Sequence, residues 1–155
     1  RKTQSLSDIK LENNKKICFR IVTRGTYPKM VEDILKKHYN LLKSFEMLDF
    51  TYEIVTNISI GITNTRQFVN FNEVIVPNNY QTRNGAKFKA RALQYALELN
   101  ASRLNQDDWI VHLDEESVLT ESAVVGITEF VNKNVHPIGQ GLVTYGKCDL
   151  ISSEI

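Results

Sequence analysis

Only two cysteines occur among the 155 residues, Cys18 and Cys148, far apart and without a CxxC or Cys/His companion. That spacing excludes a disulfide framework and the common zinc sites. Each cysteine lies in or beside an apolar stretch, where a buried free thiol is the expected outcome. Long hydrophobic runs are also missing. The longest, around Ile110 and Val74, are strand-sized and far short of the roughly 20 residues that cross a bilayer, and no signal peptide is recognisable. Charge of one sign is lacking too. A formal net charge of +1 and a pI near 7.9 create no sequence-wide field for nucleic acid or an anionic membrane, so any partner must be sought in a local site.

What remains is a chain with 42% hydrophobic and 24% charged residues, enough for one core and too short for two comfortable domains. Residues 1–16 are polar and without sustained period, and read as a linker to a unit covering 17–155. The run Ile17-Cys18-Phe19-Arg20-Ile21-Val22-Thr23 is a first strand, broken by Arg24-Gly25-Thr26. Thr26 or Tyr27 can cap a helix whose first position is Pro28, with Val31, Ile34, Leu35, Leu41, Leu42 and Phe45 at near-helical spacing to about Ser44. Further strands are expected at 50–56, 73–77, 109–113 and 139–145, and further helices at 86–99 and from a Thr120 cap to about Val131. No repeat or low-complexity segment interrupts this alternation, which predicts an α/β fold: a Rossmann-like, mainly parallel sheet with helices on both faces, ending after a fifth strand.

Neither GxGxxG after the first strand nor GxxxxGK[ST] is present, which argues against dinucleotide and P-loop folds. The informative segment is Trp109-Ile110-Val111-His112-Leu113-Asp114-Glu115-Glu116, an apolar strand ending in three acids. Open α/β sheets bind ligands at such strand ends. Crowded carboxylates are costly unless solvated, hydrogen-bonded or facing a cation, and an Asp-x-Glu pair supplies hard oxygen donors for Mn²⁺ or Mg²⁺. A divalent metal carrying a nucleotide diphosphate fits that chemistry. The competing explanation is an acidic start to the next helix, favoured by the positive end of its dipole. Lys87, Lys89 and Arg91 stand on the first turns of the second helix, where cations oppose the dipole and invite a functional reason. Lys89 is expected to be solvated, His112 to be a satisfied core histidine, and His38 and His136 show no catalytic spacing.

The segments Phe19-Arg20-Ile21-Val22-Thr23-Arg24-Gly25, Tyr52-Glu53-Ile54-Val55-Thr56, Asn84-Gly85-Ala86-Lys87-Phe88-Lys89-Ala90-Arg91-Ala92-Leu93-Gln94-Tyr95 and Asp108-Trp109-Ile110-Val111-His112-Leu113-Asp114-Glu115-Glu116-Ser117 carry a resemblance. With Gly139-Gln140-Gly141-Leu142-Val143-Thr144-Tyr145 they are similar to the inverting family 2 glycosyltransferases of the GT-A fold, within that family to the egghead-type β-1,4-mannosyltransferases of glycolipid synthesis, from about Ile17 to Tyr145. The resemblance implies roles for matched positions. Thr23, Arg24 and Gly25 would lie against the nucleoside; Lys87 and Arg91 would approach the nucleotide; Asp114 would contact ribose and metal, and Glu116 would be the principal metal ligand, with Glu115 less involved. Asn57 falls where many members place an acid that reads the base, a departure from the pattern.

The same resemblance implies a donor-binding half that takes GDP-mannose and Mn²⁺ or Mg²⁺ and builds a β-1,4 link on a glucosylceramide-type glycolipid. The general base that inverting transfer requires is expected downstream of Ile155, leaving this chain inactive by itself. Membrane segments outside the chain and a Golgi or ER address for the full-length protein are implied likewise. A UDP-sugar-dependent transferase of the same fold and a noncatalytic nucleotide-binding module are the alternatives.

Overall fold

The computed structural model describes residues 5–62, 65–98 and 103–142. Four strands, β1 (Ile17–Thr23), β2 (Phe50–Thr56), β3 (Phe71–Ile75) and β4 (Trp109–Leu113), form one sheet in the order β3-β2-β1-β4 with every pairing parallel. The helices α1 (Pro28–Lys43), α2 (Phe88–Leu97) and α3 (Glu121–Lys133) alternate with them. All seven residues of β1 are buried, as suits a β-branched and aromatic run hydrogen-bonded along both edges. Alternation then sorts side chains by face. Phe19, Ile21, Tyr52 and Ile54 point into the larger core with α1 and α3, whereas Val22, Val55 and Val74 meet Ala92 and Ala96 of α2 on the other side. Helices thus cover both faces, as the alternation of elements predicts.

β1, β2 and β4 have the boundaries expected from sequence. β3 runs two residues earlier than the expected 73–77, because Phe71 pairs with Tyr52 and stacks on Phe68 with ring centroids 5.9 Å apart. Its ladder ends as Val76 N–H donates to Thr56 O at 2.8 Å; the next residue, Pro77, has no N–H to continue. α2 starts at Phe88, later than residue 86. The expected fifth strand does not appear at residues 139–142, where Gly139 instead packs on the Phe130 ring so closely that a Cβ would lie 2.7 Å from Cζ; residues 143–145 and Cys148 lie outside the described residues. Cys18 is a buried free thiol whose pKa is pushed up to about 11, mainly by burial and then by Glu53.

Helix ends follow local chemistry. Tyr27 precedes Pro28 of α1 without a side-chain cap, whereas Thr120 caps α3 by accepting from Ala123 N–H at 3.2 Å. Residues 5–16, read as a linker, are tied to α3 where they are described. Ile9 is buried in the larger core, Lys15 Nζ donates to Val131 O at 3.2 Å, and Asn132 bridges Glu12 N–H and Lys10 O at 2.9 Å each.

Two buried polar pairs were not legible from hydropathy. Arg20 of β1 and Glu53 of β2 are register partners, and Arg20 Nε donates to Glu53 Oε1 at 2.5 Å with both residues buried. Nη1 and Nη2 of Arg20 are buried without hydrogen-bond partners. On the other face, fully buried His38 of α1 stands between Tyr52 Oη, 2.8 Å from Nδ1, and Leu119 N–H, which donates to Nε2 at 3.0 Å. His38, not His112, is therefore the satisfied core histidine. His112 lies on the edge strand β4 and is exposed, beside Arg20 in register.

Because a one-sided loss strands a buried charge, Glu53→Leu should destabilise the fold by about 3–5 kcal/mol in urea unfolding. The double change Arg20→Leu with Glu53→Leu should recover most of that loss, since it also removes the unpartnered guanidinium nitrogens; a double variant no more stable than the single one would refute this account.

Burial pushes the His38 pKa from 6.5 down to about 4, against a smaller opposing effect of the Ser117 main chain. Between those values the unfolded chain takes up a proton that the folded chain refuses, so this contribution is complete above about pH 6.5 and is lost as pH falls toward 4. The difference is of order 3 kcal/mol. Thermal unfolding followed between pH 7 and 4 should show this acid loss, and His38→Gln should flatten it.

Candidate functional site

In the order β3-β2-β1-β4 the chain reverses its direction of travel across the sheet between β1 and β4. The carboxyl ends of β1 and β4 lie side by side there, leading into α1 and α3 on the larger-core face, while α2 covers the opposite face; ligands of open α/β sheets bind at such a switch point. β1 delivers Thr23, Arg24 and Gly25 to this edge, β2 delivers Asn57, and β4 delivers Asp114, Glu115 and Glu116. α2 brings Lys89 and Arg91 over the same rim. A crevice of about 170 Å³ between α2 and β4 is lined by Val22, Lys89, Leu93, His112, Leu113 and Asp114. A larger open hollow of about 570 Å³ flanks the first turn of α1. Its Lys29 and Asp33 are already paired at 2.9 Å, so it offers no converging reactive groups.

The acidic turn is built by a main-chain bond from Ser117 N–H to Asp114 O at 3.0 Å. Asp114 and Glu116 are exposed, while Glu115 between them is half-buried, with Oε2 enclosed and without a hydrogen-bond partner. The turn therefore divides the three acids: two face solvent and one faces the protein. Lys89, expected to be solvated, forms an ion pair with Asp114 Oδ1. A cation on α2 thus sits on the first acid of the turn, which relieves the repulsion that three consecutive acids create. Among the described residues no three His, Cys, Asp or Glu side chains converge as a metal cage. Asp114 and Glu116 are nevertheless hard oxygen donors of the kind that hold Mg²⁺ or Mn²⁺ when substrate phosphates and water complete the coordination.

Arg91 is held more firmly than a free phosphate ligand would be. Its Nε donates to Tyr80 O at 2.9 Å, Nη1 to Asn57 Oδ1 at 3.3 Å and Nη2 to Pro77 O, and the guanidinium lies 5.6 Å from the Tyr80 ring centroid. Two residues singled out separately in the sequence, Asn57 and Arg91, are thereby joined, and the loop after β3 is fastened to α2. Lys87 is exposed at the position preceding α2, with no side-chain cap.

Thr23 Oγ1 accepts from Gly25 N–H at 3.1 Å, which folds the end of β1 into a tight turn. Gly25 has φ +81°, and a Cβ there would lie 2.7 Å from Ile58 O and 2.9 Å from Thr56 Oγ1. The close approach is to the turn after β2, where Thr56 Oγ1 donates to Ile58 O at 2.6 Å. Arg24 Cζ lies 5.3 Å from the ring centroid of Phe88, which is 70% exposed and has φ +56°. A bulky residue in the left-handed region is strained, and such strain concentrates at functional rims. Phe88 escaped the sequence reading because its neighbours define an amphipathic helix start; only its backbone conformation and its Arg24 contact distinguish it.

Gly25→Ala should cost about 1–3 kcal/mol of stability, since it combines a strained left-handed alanine with backbone overlap. Chemical denaturation measures the loss. The isosterically similar change Gly61→Ala, at φ +66° with no atom within 4 Å of the new Cβ, should cost less; equal losses would remove the packing component from the explanation.

No protein-family model matches the chain, and no solved structure matches it. Curated relatives do. Over 136 residues, 88% of this chain, it is 44% identical to the β-1,4-mannosyltransferase egh of Drosophila melanogaster. Over the same length it is 41% identical to the β-1,4-mannosyltransferases bre-3 of Caenorhabditis briggsae and Caenorhabditis elegans. The matched segment spans 29% of the length of each relative. An identity above 40% over almost the whole chain leaves one conclusion: this chain is homologous to a segment of the animal proteins named β-1,4-mannosyltransferases.

Proposed function

We propose that the chain is the donor-binding half of an inverting family 2 glycosyltransferase that uses GDP-mannose and Mn²⁺ or Mg²⁺. The observation that carries this reading is the placement of Asp114 and Glu116 on an exposed turn at the β1/β4 switch point, opposite Thr23, Arg24 and Gly25. The names of the relatives support mannose as the transferred sugar and a β-1,4 link as the product. The glycolipid acceptor of the glucosylceramide type belongs to the same proposal, as does a Golgi or ER membrane address for the full-length protein. Among the described residues no helix is long and apolar enough to cross a membrane.

Single displacement at the anomeric carbon leaves a nucleoside diphosphate, whose developing charge must be neutralised in place. A divalent cation, when bound, would act there as a Lewis acid. Asp114 and Glu116 would hold it, and Lys89 would have to exchange Asp114 for the diphosphate as the donor enters. That exchange keeps the number of paired charges constant. Arg91 would act by fixing Asn57 and the loop after β3 beside the base. Thr23 and Arg24 would bound the nucleoside, and Gly25 would keep the two strand-end turns close enough to form one floor. Deprotonation of the acceptor hydroxyl is assigned to a carboxylate downstream of Ile155, so this chain is expected to bind donor without turnover.

Calorimetric titration with GDP and UDP, each with Mn²⁺ and with chelator, tests the reading. Metal-dependent preference for GDP is the expected result. Preference for UDP would move the assignment to a UDP-sugar transferase, and absence of binding by a folded chain would leave the acidic turn as no more than a helix approach. Glu116→Ala should weaken Mn²⁺-dependent GDP binding by about tenfold or more, with Glu129→Ala on the exposed side of α3 changing it by less than roughly twofold.

A further inference from the structure

We propose that His38 is a positioning residue for the candidate nucleotide site: anchored on α1 by Tyr52, its imidazole holds the acidic turn through the main chain of Leu119. This inference rests on the assignment of Asp114 and Glu116 to nucleotide and metal, but its structural half stands on geometry alone. His38 is fully buried, 81 residues from Leu119 in sequence, and no part of it faces the crevice. Leu119 N–H donates to Nε2 at 3.0 Å, and a main-chain amide has only a proton to offer. Nε2 must therefore be bare. The single proton of the neutral ring then sits on Nδ1 and is donated to Tyr52 Oη, 2.8 Å away on β2.

The consequence for the site follows from where Leu119 lies. β4 is fixed to β1 up to the pairing of Leu113 with Ile21. From there the chain leaves the sheet, carries Asp114, Glu115 and Glu116 through the turn closed by Ser117 N–H to Asp114 O, and re-enters the core at Leu119, whose side chain is 8% exposed. α3 begins two residues later, at Glu121. The segment bearing the acids is thus held at one end by the sheet ladder and at the other by the imidazole. Apart from the Lys89 ion pair on Asp114, the direction of the exposed carboxylates is set by the main chain that the two anchors hold. The bond also links α1, which follows Arg24 and Gly25, to the turn carrying Asp114 and Glu116. One side chain therefore couples the nucleoside side of the crevice to its acidic side.

A histidine suits the task because it accepts with one nitrogen while donating with the other, so neither ring nitrogen is left unpaired inside the core. Phenylalanine fills the volume but strands both partners. Glutamine offers an acceptor near the position of Nε2. Asparagine is one bond too short to reach it.

The test uses the 155-residue chain. In nitrogen-detected NMR, His38 should carry its proton on Nδ1 at neutral pH, the reverse of the usual free-imidazole preference. His38→Phe should speed exchange of the Leu119 amide by about tenfold, the loss of one buried hydrogen bond, and should shift the resonances of residues 114–118. The dissociation constant for GDP with Mn²⁺ should rise by about fivefold to tenfold in the same variant. His38→Gln should restore both readouts to within roughly twofold, and Leu35→Ala, a core change on the same helix away from the turn, should lower stability while leaving GDP affinity unchanged. A folded His38→Phe variant with unmoved 114–118 resonances overturns the proposal, as does one that frees the Leu119 amide but binds Mn²⁺ and GDP as the parent does. Should His38→Phe not fold, His38→Gln against His38→Asn decides, since only the longer side chain should protect Leu119. If the parent chain binds no nucleotide, the functional assignment fails, while the Nδ1 tautomer and Leu119 exchange still judge the anchor.

Discussion

The parallel pairing of β1 with β2 on one edge and β4 on the other is the constraint on which the remaining structure depends. A strand bonded on both edges and covered on both faces must be largely apolar, and Ile17–Thr23 meets that demand except at Arg20 and at the terminal Thr23. The sheet order β3-β2-β1-β4 follows from α1 carrying the chain one way from β1 and α2 returning it to the opposite side. The return brings the carboxyl end of β4 beside that of β1, with α2 on the opposite face from α1 and α3, and the crevice lies between α2 and β4. The acidic turn and the Thr23-Arg24-Gly25 turn are neighbours for this reason alone, although about ninety residues separate them in the chain.

Polar groups in the interior are arranged around that strand. Arg20 and Glu53 neutralise each other across β1 and β2, and His38 satisfies Tyr52 and Leu119 on the opposite face. The two arrangements differ in kind. The histidine has a donor or acceptor for each nitrogen, whereas the arginine leaves two nitrogens without partners. Desolvation makes the second state costly, so the ion pair is better regarded as a device that sets the β1/β2 register than as a source of net stability.

At the crevice, basic residues on α2 divide the work. Lys89 is paired with Asp114, and Arg91 is consumed by main-chain carbonyls and Asn57. A charge held by a long exposed side chain can exchange partners at little cost, while a guanidinium bonded to several carbonyls acts as a clamp. Lysine at the first position and arginine at the second are consistent with a mobile counter-ion beside a fixed wall.

Hydrophobic periodicity by itself determined the strands at 17–23, 50–56 and 109–113, the start of α1 at Pro28 and the Thr120 cap of α3, because these depend on spacing and local hydrogen bonding. It also placed the acidic turn at a strand end, and runs such as Asp108 to Ser117 were specific enough to indicate the relatives. Contacts distant in sequence were decided only by the tertiary structure. Periodicity carries no information about which helix residue meets which loop, so it assigned the core role to His112 rather than His38, did not pair the exposed Lys89 with Asp114 and saw a polar linker where Ile9 and Lys15 dock. The pairing of β3 moved the strand upstream to Phe71, because cross-strand register overrides a short apolar run.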